Sequence, residues 1–217
     1  VADLKDRKVV TVGGYNLDQF VDPAAPIDLT KIMVGSEGTL GFVVEATVAL
    51  VPLPSAKAVV TLEFEHLLDA LAATPLILTH HPSAVEVMDA FILGYSRENA
   101  VLDALRRTVA GDGATLPCVE LYADHGDDLP PRIEALERDL GGAGIRFRSR
   151  RWLDAAAQAR IWGLREAWLG LSTAMKGDGK AISFVEDTAV PPDRLADFPL
   201  REHRIPDALL AKMKEMG

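Results

Sequence analysis

The sequence predicts an α+β fold, in which an antiparallel sheet carries helices packed on one face. Three observations support this prediction. Strand-like segments alternate with helix-like segments from residue 54 onward. The 48% hydrophobic and 25% charged composition is typical of globular proteins. Pro52 and Pro54 interrupt the chain after an N-terminal part that does not alternate in this way, so a domain boundary is expected there.

The N-terminal part predicts few regular elements. Residues 8–12 are β-branched and predict a strand ended by glycines. Asp28 is expected to cap a short helical turn. Residues 42–51 are rich in Val, Thr and Ala, which favours a buried strand that ends at Pro52.

The rest of the chain predicts alternating elements. Strands are expected at residues 58–64, 84–88, 117–122, 145–148 and 181–186. Helices are expected at residues 67–78, 90–97, 98–107, 130–140 and 155–171.

Local residues indicate how three of these helices begin, end and pack. Pro75 is expected to kink or end the first helix, whereas Pro130 and Pro131 suit the first turn of the fourth. Asp154 is expected to cap the last helix. The apolar face of that helix is predicted along Ala156, Ala159, Trp162 or Gly163, and Ala167.

Charge and composition exclude several functional classes. The net charge of −9 disfavours a nucleic-acid binder. The single cysteine, Cys118, makes an internal disulfide and a multi-cysteine metal site impossible and favours a reducing, cytoplasmic compartment. No apolar run approaches the roughly 20 residues of a membrane helix. The adjacent His80 and His81 lack a third ligand at metal-binding spacing, so no metal is expected.

A run of arginines is the one basic patch. Arg146, Arg148, Arg150 and Arg151 follow the fourth helix. They predict an edge strand guarded by charge, with binding to an acidic partner as the alternative.

The tract from Gly35 to Gly41 is the most informative segment. Its glycines at positions 35, 38 and 41 permit positive φ and close approach of the backbone to a bulky group. Successive amides there are suited to a diphosphate. Spacing alone favours a tight connector, since the tract lacks the lysine of a P-loop and is not G-x-G-x-x-G.

The tract also resembles a known family. Residues 28–47, which contain G-S-E-G-T-L-G-F, are similar to the end of the FAD-binding domain in FAD-linked oxidases, and residues 14–17 resemble the G-Y-x-L segment of that domain. This family includes D-lactate, glycolate and D-2-hydroxyglutarate oxidising enzymes with the vanillyl-alcohol-oxidase-like fold. Residues 82–89, 161–167 and 184–191 resemble segments of its C-terminal, substrate-side domain.

The resemblance implies a division of the chain. Residues 1–53 would complete the FAD-binding domain, residues 54–198 would form the C-terminal domain, and residues 199–217 would be a tail of uncertain continuity. The pyrophosphate loop and the histidine segment of the family are absent from the sequence, which therefore resembles part of an enzyme that is not active alone.

The resemblance also implies site residues. A cofactor-side role falls on Gly35, Ser36, Glu37, Gly38 and Gly41, with a structural cap as the alternative for Glu37. Arg165 is implied as the ligand of the substrate carboxylate, because its guanidinium matches the carboxylate of a 2-hydroxy acid; a surface ion-pair network is the alternative. Glu186 and Asp187 are adjacent carboxylates at a predicted strand end, and because neighbouring strand residues face opposite ways, at most one of them points inward. No catalytic base is identified.

Two functions remain open from the sequence. The first is FAD-dependent oxidation of a small 2-hydroxy acid, with an electron acceptor that the sequence does not identify. A homo-oligomer, or association with a membrane through a partner protein, is compatible with this function. The second is a non-catalytic α+β association module that has lost FAD. Flavin bound to the purified protein would distinguish them.

Overall fold

The structure, a computed structural model, describes residues 15–111, 115–173 and 190–197. The chain forms two compact units, and it passes from the first to the second between Pro52 and Leu53. The strands predicted at residues 8–12 and 181–186 lie outside the described residues. None of the helices in the described ranges has the length and apolar character needed to cross a bilayer.

The first unit contains short elements. A 3₁₀ turn covers Leu17–Phe20 and helix α1 covers Thr30–Met33. The N-cap of α1 is Leu29, not the predicted Asp28, but the Asp28 carboxylate accepts from the Thr30 amide at 3.0 Å and so stabilises the turn that leads into the helix.

The prediction of a strand at residues 42–51 is wrong: the structure describes these residues, and none of them is in a strand. No ladder forms there, and the side chains of Phe42 and Val44 are 98% and 97% exposed. A strand needs a partner for its backbone N–H and C=O groups, and no other described segment pairs with these residues. Apolar β-branched composition alone therefore did not determine this structure.

The second unit is built on a four-stranded antiparallel sheet. Its strands are β1 (Ala56–Glu63), β2 (Ala84–Met88), β3 (Leu116–Ala123) and β4 (Arg148–Trp152), and their order in space is β2-β3-β1-β4. The helices are α2 (Leu67–Leu78), α3 (Ala90–Tyr95), α4 (Ala100–Val109), α5 (Leu129–Gly142) and α6 (Ala155–Thr173). Both the α+β class and the antiparallel sheet are confirmed.

Helices cover both faces of this sheet, whereas the sequence predicted one face. Alternate residues of β1 point to opposite sides: Val60 and Leu62 pack with α2 and α5, while Val59 packs with α3, α4 and α6. We call the buried residues around Val60 the first apolar cluster and those around Val59 the second apolar cluster. The signal was the segment 58–62, which is apolar except for Thr61 and is buried throughout, as is typical of a strand covered on both sides.

Two helices differ in detail from their prediction. Helix α2 continues through Pro75 to Leu78, because its packed residues Ala70 and Ile77 outweigh the lost backbone hydrogen bond. The buried face of α6 follows Ala157, Ile161 and Leu164, whereas the predicted Ala156 and Ala159 are exposed. Of the predicted face, Trp162 packs against the buried residues. The face is displaced because α6 is oriented by its larger side chains, which bury more area against the sheet than alanine.

The arginine-rich segment is an edge strand, as predicted, although it begins at Arg148 instead of residue 145. Its arginines bond within the unit: Arg148 pairs with Glu63 at 3.1 Å, and Arg151 pairs with Glu137. These ion pairs place a charged row along the outer edge, which discourages strand pairing with another chain.

Candidate functional site

The tract after α1 has a backbone shaped by left-handed residues. Gly35 and Gly38 have φ of 84° and 77°, and Glu37 has φ of 47° although it carries a side chain. Non-glycine residues rarely adopt this region, so Glu37 is held there by its surroundings. The Ser36 amide donates to the Met33 carbonyl at 3.2 Å, and the Thr39 amide donates to the Ser36 carbonyl at 2.9 Å. The tract is therefore an ordered double turn.

The upstream residues Tyr15 and Asn16 fasten this tract. The Asn16 side-chain amide donates to the carbonyls of Lys31 and Val34 at 3.1 and 3.0 Å, at the end of α1. The Tyr15 and Thr39 hydroxyls are hydrogen-bonded at 2.8 Å. Carbonyls at a helix end lack an intrahelical donor, and the Asn16 side chain supplies that donor here. The two segments that carry the family resemblance thus contact each other.

The tract presents unused donors and open space. In the described part of the chain, the amides of Glu37 and Gly38 make no hydrogen bond. A Cβ added to Gly38 would meet no atom within 4 Å. Consecutive amides at left-handed residues form an anion-binding concavity. The geometry therefore fits a phosphate-bearing dinucleotide such as FAD, and Ser36, which is 4% exposed, lies in the interior of the turn.

Glu37 and Gly41 have separate environments. The Glu37 side chain is exposed and accepts no hydrogen bond from the residues that the structure describes, so it does not cap α1 there. Gly41 lies close to Met33: an added Cβ would be 3.6 Å from the methionine methyl.

In the second unit, helix α6 is fixed on the sheet at its N-terminal half. Asp154 accepts from the Ala157 amide at 2.8 Å, which confirms the predicted cap. The buried Gln158 donates from its side chain to the carbonyls of Lys57 and Trp152 at 3.0 and 3.1 Å. These bonds and the buried Ile161 determine which side of α6 faces solvent.

Arg165 lies beside the buried face of α6 and reaches strand β2. Its Nε donates to Oε2 of Glu86 at 2.5 Å, and the two side chains are 47% and 37% exposed. The terminal nitrogens of Arg165 have no partner among the described residues. Arg165 is therefore ion-paired with Glu86, and its role toward a substrate carboxylate stays a prediction.

Glu86 lies at the border of the second apolar cluster. It is opposite Cys118 in the antiparallel register, and the thiol is fully buried. Burial, and secondarily the Glu86 charge, raises the pKa of Cys118 to about 12. Cys118 is consequently a protonated core residue at neutral pH.

The remaining sequence candidates cannot be placed at either of these two sites. Glu186 and Asp187 lie outside the described residues, as does the 199–217 tail. A cavity of about 730 Å³ is lined by residues of β1, α2 and segment 144–148, and it contains neither Glu86 nor Arg165. The described residues hold no cluster of metal-ligating side chains.

Sequence reasoning assigned no role to Glu86, Asn16 or Thr39. The signal for Glu86 was a carboxylate within the apolar strand A-V-E-V-M. The signal for Asn16 was weaker: a side-chain amide next to the tyrosine of the G-Y-x-L segment.

Comparison with known proteins identifies relatives over most of the chain. The chain is 32% identical over 197 residues to D-2-hydroxyglutarate dehydrogenase of Pantoea ananatis, covering 85% of this chain and 19% of the relative. It is 31% identical over 199 residues to the Escherichia coli protein of the same name, with the same coverage. A segment of 63 residues is 38% identical to D-lactate dehydrogenase of Anaerostipes hadrus, covering 28% of this chain and 13% of the relative.

The chain spans about a fifth of the length of the D-2-hydroxyglutarate dehydrogenases that it matches. Residues 53–203 match the family described as FAD linked oxidases, C-terminal domain. Because this match covers more than half of the sequence, the resemblance found in the motifs is confirmed: the chain belongs to the FAD-linked oxidase family.

Proposed function

We propose that the chain is part of an FAD-dependent oxidoreductase that oxidises a 2-hydroxy acid. The observation that carries the proposal is the sequence match to proteins named D-2-hydroxyglutarate dehydrogenase. This match covers 85% of the chain at 32% and 31% identity. D-2-Hydroxyglutarate is therefore the first substrate to test, followed by D-lactate and glycolate. None of the residues that the structure describes favours a non-catalytic module.

The two units have different roles in this proposal. Residues 1–53 complete an FAD-binding domain, and residues 54–198 form the substrate-side domain. The unused amides of Glu37 and Gly38 and the open space beside Gly38 support contact between the tract and FAD. Gly35, Ser36 and Gly41 would shape that contact surface.

FAD, when bound, supplies the redox chemistry by accepting two electrons from the carbon that bears the hydroxyl group. Arg165 would bind the substrate carboxylate through its terminal nitrogens and so orient that carbon. The base that accepts the hydroxyl proton is not identified among the described residues. We place the protein in the cytoplasm, as its single buried cysteine suggests.

The proposal is tested in the full-length native protein by Arg165→Ala and Arg165→Lys. We expect both variants to keep their flavin content and to raise the KM for the hydroxy acid by about 10- to 100-fold, the effect of losing hydrogen bonds to a charged group. Lysine should not restore affinity, because its ammonium lacks the planar fork. Loss of flavin with unchanged KM would contradict the role of Arg165.

A further inference from the structure

We propose that Glu86 is a positioning residue that determines which edge of the Arg165 guanidinium meets the substrate; this inference rests on the function proposed above. Glu86 is on β2 and Arg165 on α6, 79 positions apart in sequence. Their contact uses one atom of each side chain, Oε2 and Nε, at 2.5 Å.

The choice of nitrogen has a geometric consequence. A guanidinium binds a carboxylate either along its side, through Nε and one terminal nitrogen, or at its end, through both terminal nitrogens. Glu86 occupies Nε and therefore blocks the side approach. The end of the fork has no partner among the described residues, and in this proposal it is the edge that meets the substrate carboxylate.

The surroundings determine the direction of the fork. Arg165 follows Leu164, which is buried in the second cluster, so the helix side of the ion pair is fixed. On the strand side, Glu86 is opposite the buried Cys118 in the central strand β3. Two rigid elements thus hold the guanidinium, and its rotation about the side-chain bonds is restricted.

This role predicts more loss in substrate binding than in stability. Partly exposed ion pairs contribute little to folding. Orientation of a binding group has a larger effect, because an unrestrained arginine must be ordered each time the substrate binds. The melting temperature should therefore change little when KM changes substantially.

The test uses the full-length flavoprotein with Glu86→Ala and Glu86→Gln. Alanine removes the acceptor, and we expect KM for the hydroxy acid to rise about tenfold, the cost of ordering one free arginine side chain when the substrate binds, with kcat changed much less. Glutamine keeps an acceptor oxygen for Nε while removing the charge, so KM should remain within about twofold of wild type.

A double variant and a matched control complete the experiment. In an Arg165→Ala background, Glu86→Ala should cause no further rise in KM, since the group that it orients is gone. Glu137→Ala breaks the comparable pair with Arg151 on the edge strand and should leave KM unchanged.

Four results would overturn the inference: an unchanged KM in Glu86→Ala, equal effects of alanine and glutamine, an additive double variant, or a KM rise in Glu137→Ala. If Arg165→Ala raises KM and Glu86→Ala does not, only the positioning role fails. If the wild-type protein holds flavin but oxidises none of the 2-hydroxy acids, the proposed function fails and this inference with it.

Discussion

The side-chain amide of Asn16 donates to the carbonyl of Val34 at 3.0 Å, directly before the left-handed Gly35. The same amide reaches the Lys31 carbonyl at 3.1 Å. One residue therefore fixes the entry to the tract that we assign to the cofactor, although it need not touch the cofactor itself.

Replacing Asn16 should loosen this tract. Asn16→Ala removes both donors and should lower flavin affinity, with a loss of about 1 kcal/mol in the stability of the turn. Asn16→Asp should be worse than alanine, because an ionised carboxylate only accepts and would face two carbonyl oxygens. Titration of the apoprotein with FAD measures the affinity.

Gln19→Ala is the control for this experiment. Gln19 also carries a side-chain amide in the same segment, but that amide bonds only to the neighbouring Asp18 carboxylate at 2.7 Å. Equal loss of FAD affinity in Gln19→Ala and Asn16→Ala would contradict the role of Asn16.

Gly38→Ala should reduce flavin content. A Cβ at φ of 77° is strained by about 1–2 kcal/mol, and it would occupy the space that we assign to the cofactor. Gly144 provides a matched control, because it has φ of 76° and equally open space in the second unit. Gly144→Ala should show the same loss of thermal stability with normal flavin content, as measured by absorbance per polypeptide. Full flavin content in Gly38→Ala would exclude contact at this position.

Cys118 should resist thiol reagents in the folded protein. Burial raises its pKa from 9.0 to about 12, so the reactive thiolate is almost absent at neutral pH. The unfolded chain ionises first as pH rises, so this residue should reduce the free energy of unfolding progressively between pH 9 and about 12, with no effect below that range.

Cys118→Ala tests the pH effect of the thiol. The variant should lose the part of the alkaline destabilisation that the thiol causes, in urea titrations at several pH values. Rapid labelling of the folded wild-type protein near neutral pH would contradict the buried location of Cys118.

The Arg151–Glu137 pair should contribute to stability at neutral but not at acid pH. The hydrogen bond from Arg151 holds the pKa of Glu137 below its usual 4.5. Stability from this pair is thus present above pH 4.5 and is lost as pH falls through the lowered pKa. Because Arg151 is partly exposed, we expect an effect below about 1 kcal/mol. Arg151→Ala should remove that acid dependence in urea titrations, and an unchanged dependence would show that the pair contributes nothing.

Local signals predicted much of the second unit. Strand β2 has the predicted bounds and α6 begins at the predicted Ala155 after its Asp154 cap, since alternation and caps act within a few residues. Long-range packing was not available to such reasoning. It decided that helices cover both faces of the sheet, that α2 continues through Pro75, and that residues 42–51 form no strand in the described chain.

In the candidate site, too, local features were predictable and long-range contacts were not. The left-handed geometry at Gly35 and Gly38 follows from glycine at those positions, so the tract itself was predictable. The pairing of Glu86 with Arg165 depends on the strand order, which places β2 at an edge next to α6. No pattern within either segment indicates that contact.

The most direct test of the account is the absorbance of the full-length native protein, purified with its cofactor, before and after anaerobic addition of D-2-hydroxyglutarate, D-lactate or glycolate. We predict a flavin spectrum whose long-wavelength band bleaches with one of these 2-hydroxy acids. A protein that binds no FAD, or whose flavin stays oxidised with all three, would contradict the central claim.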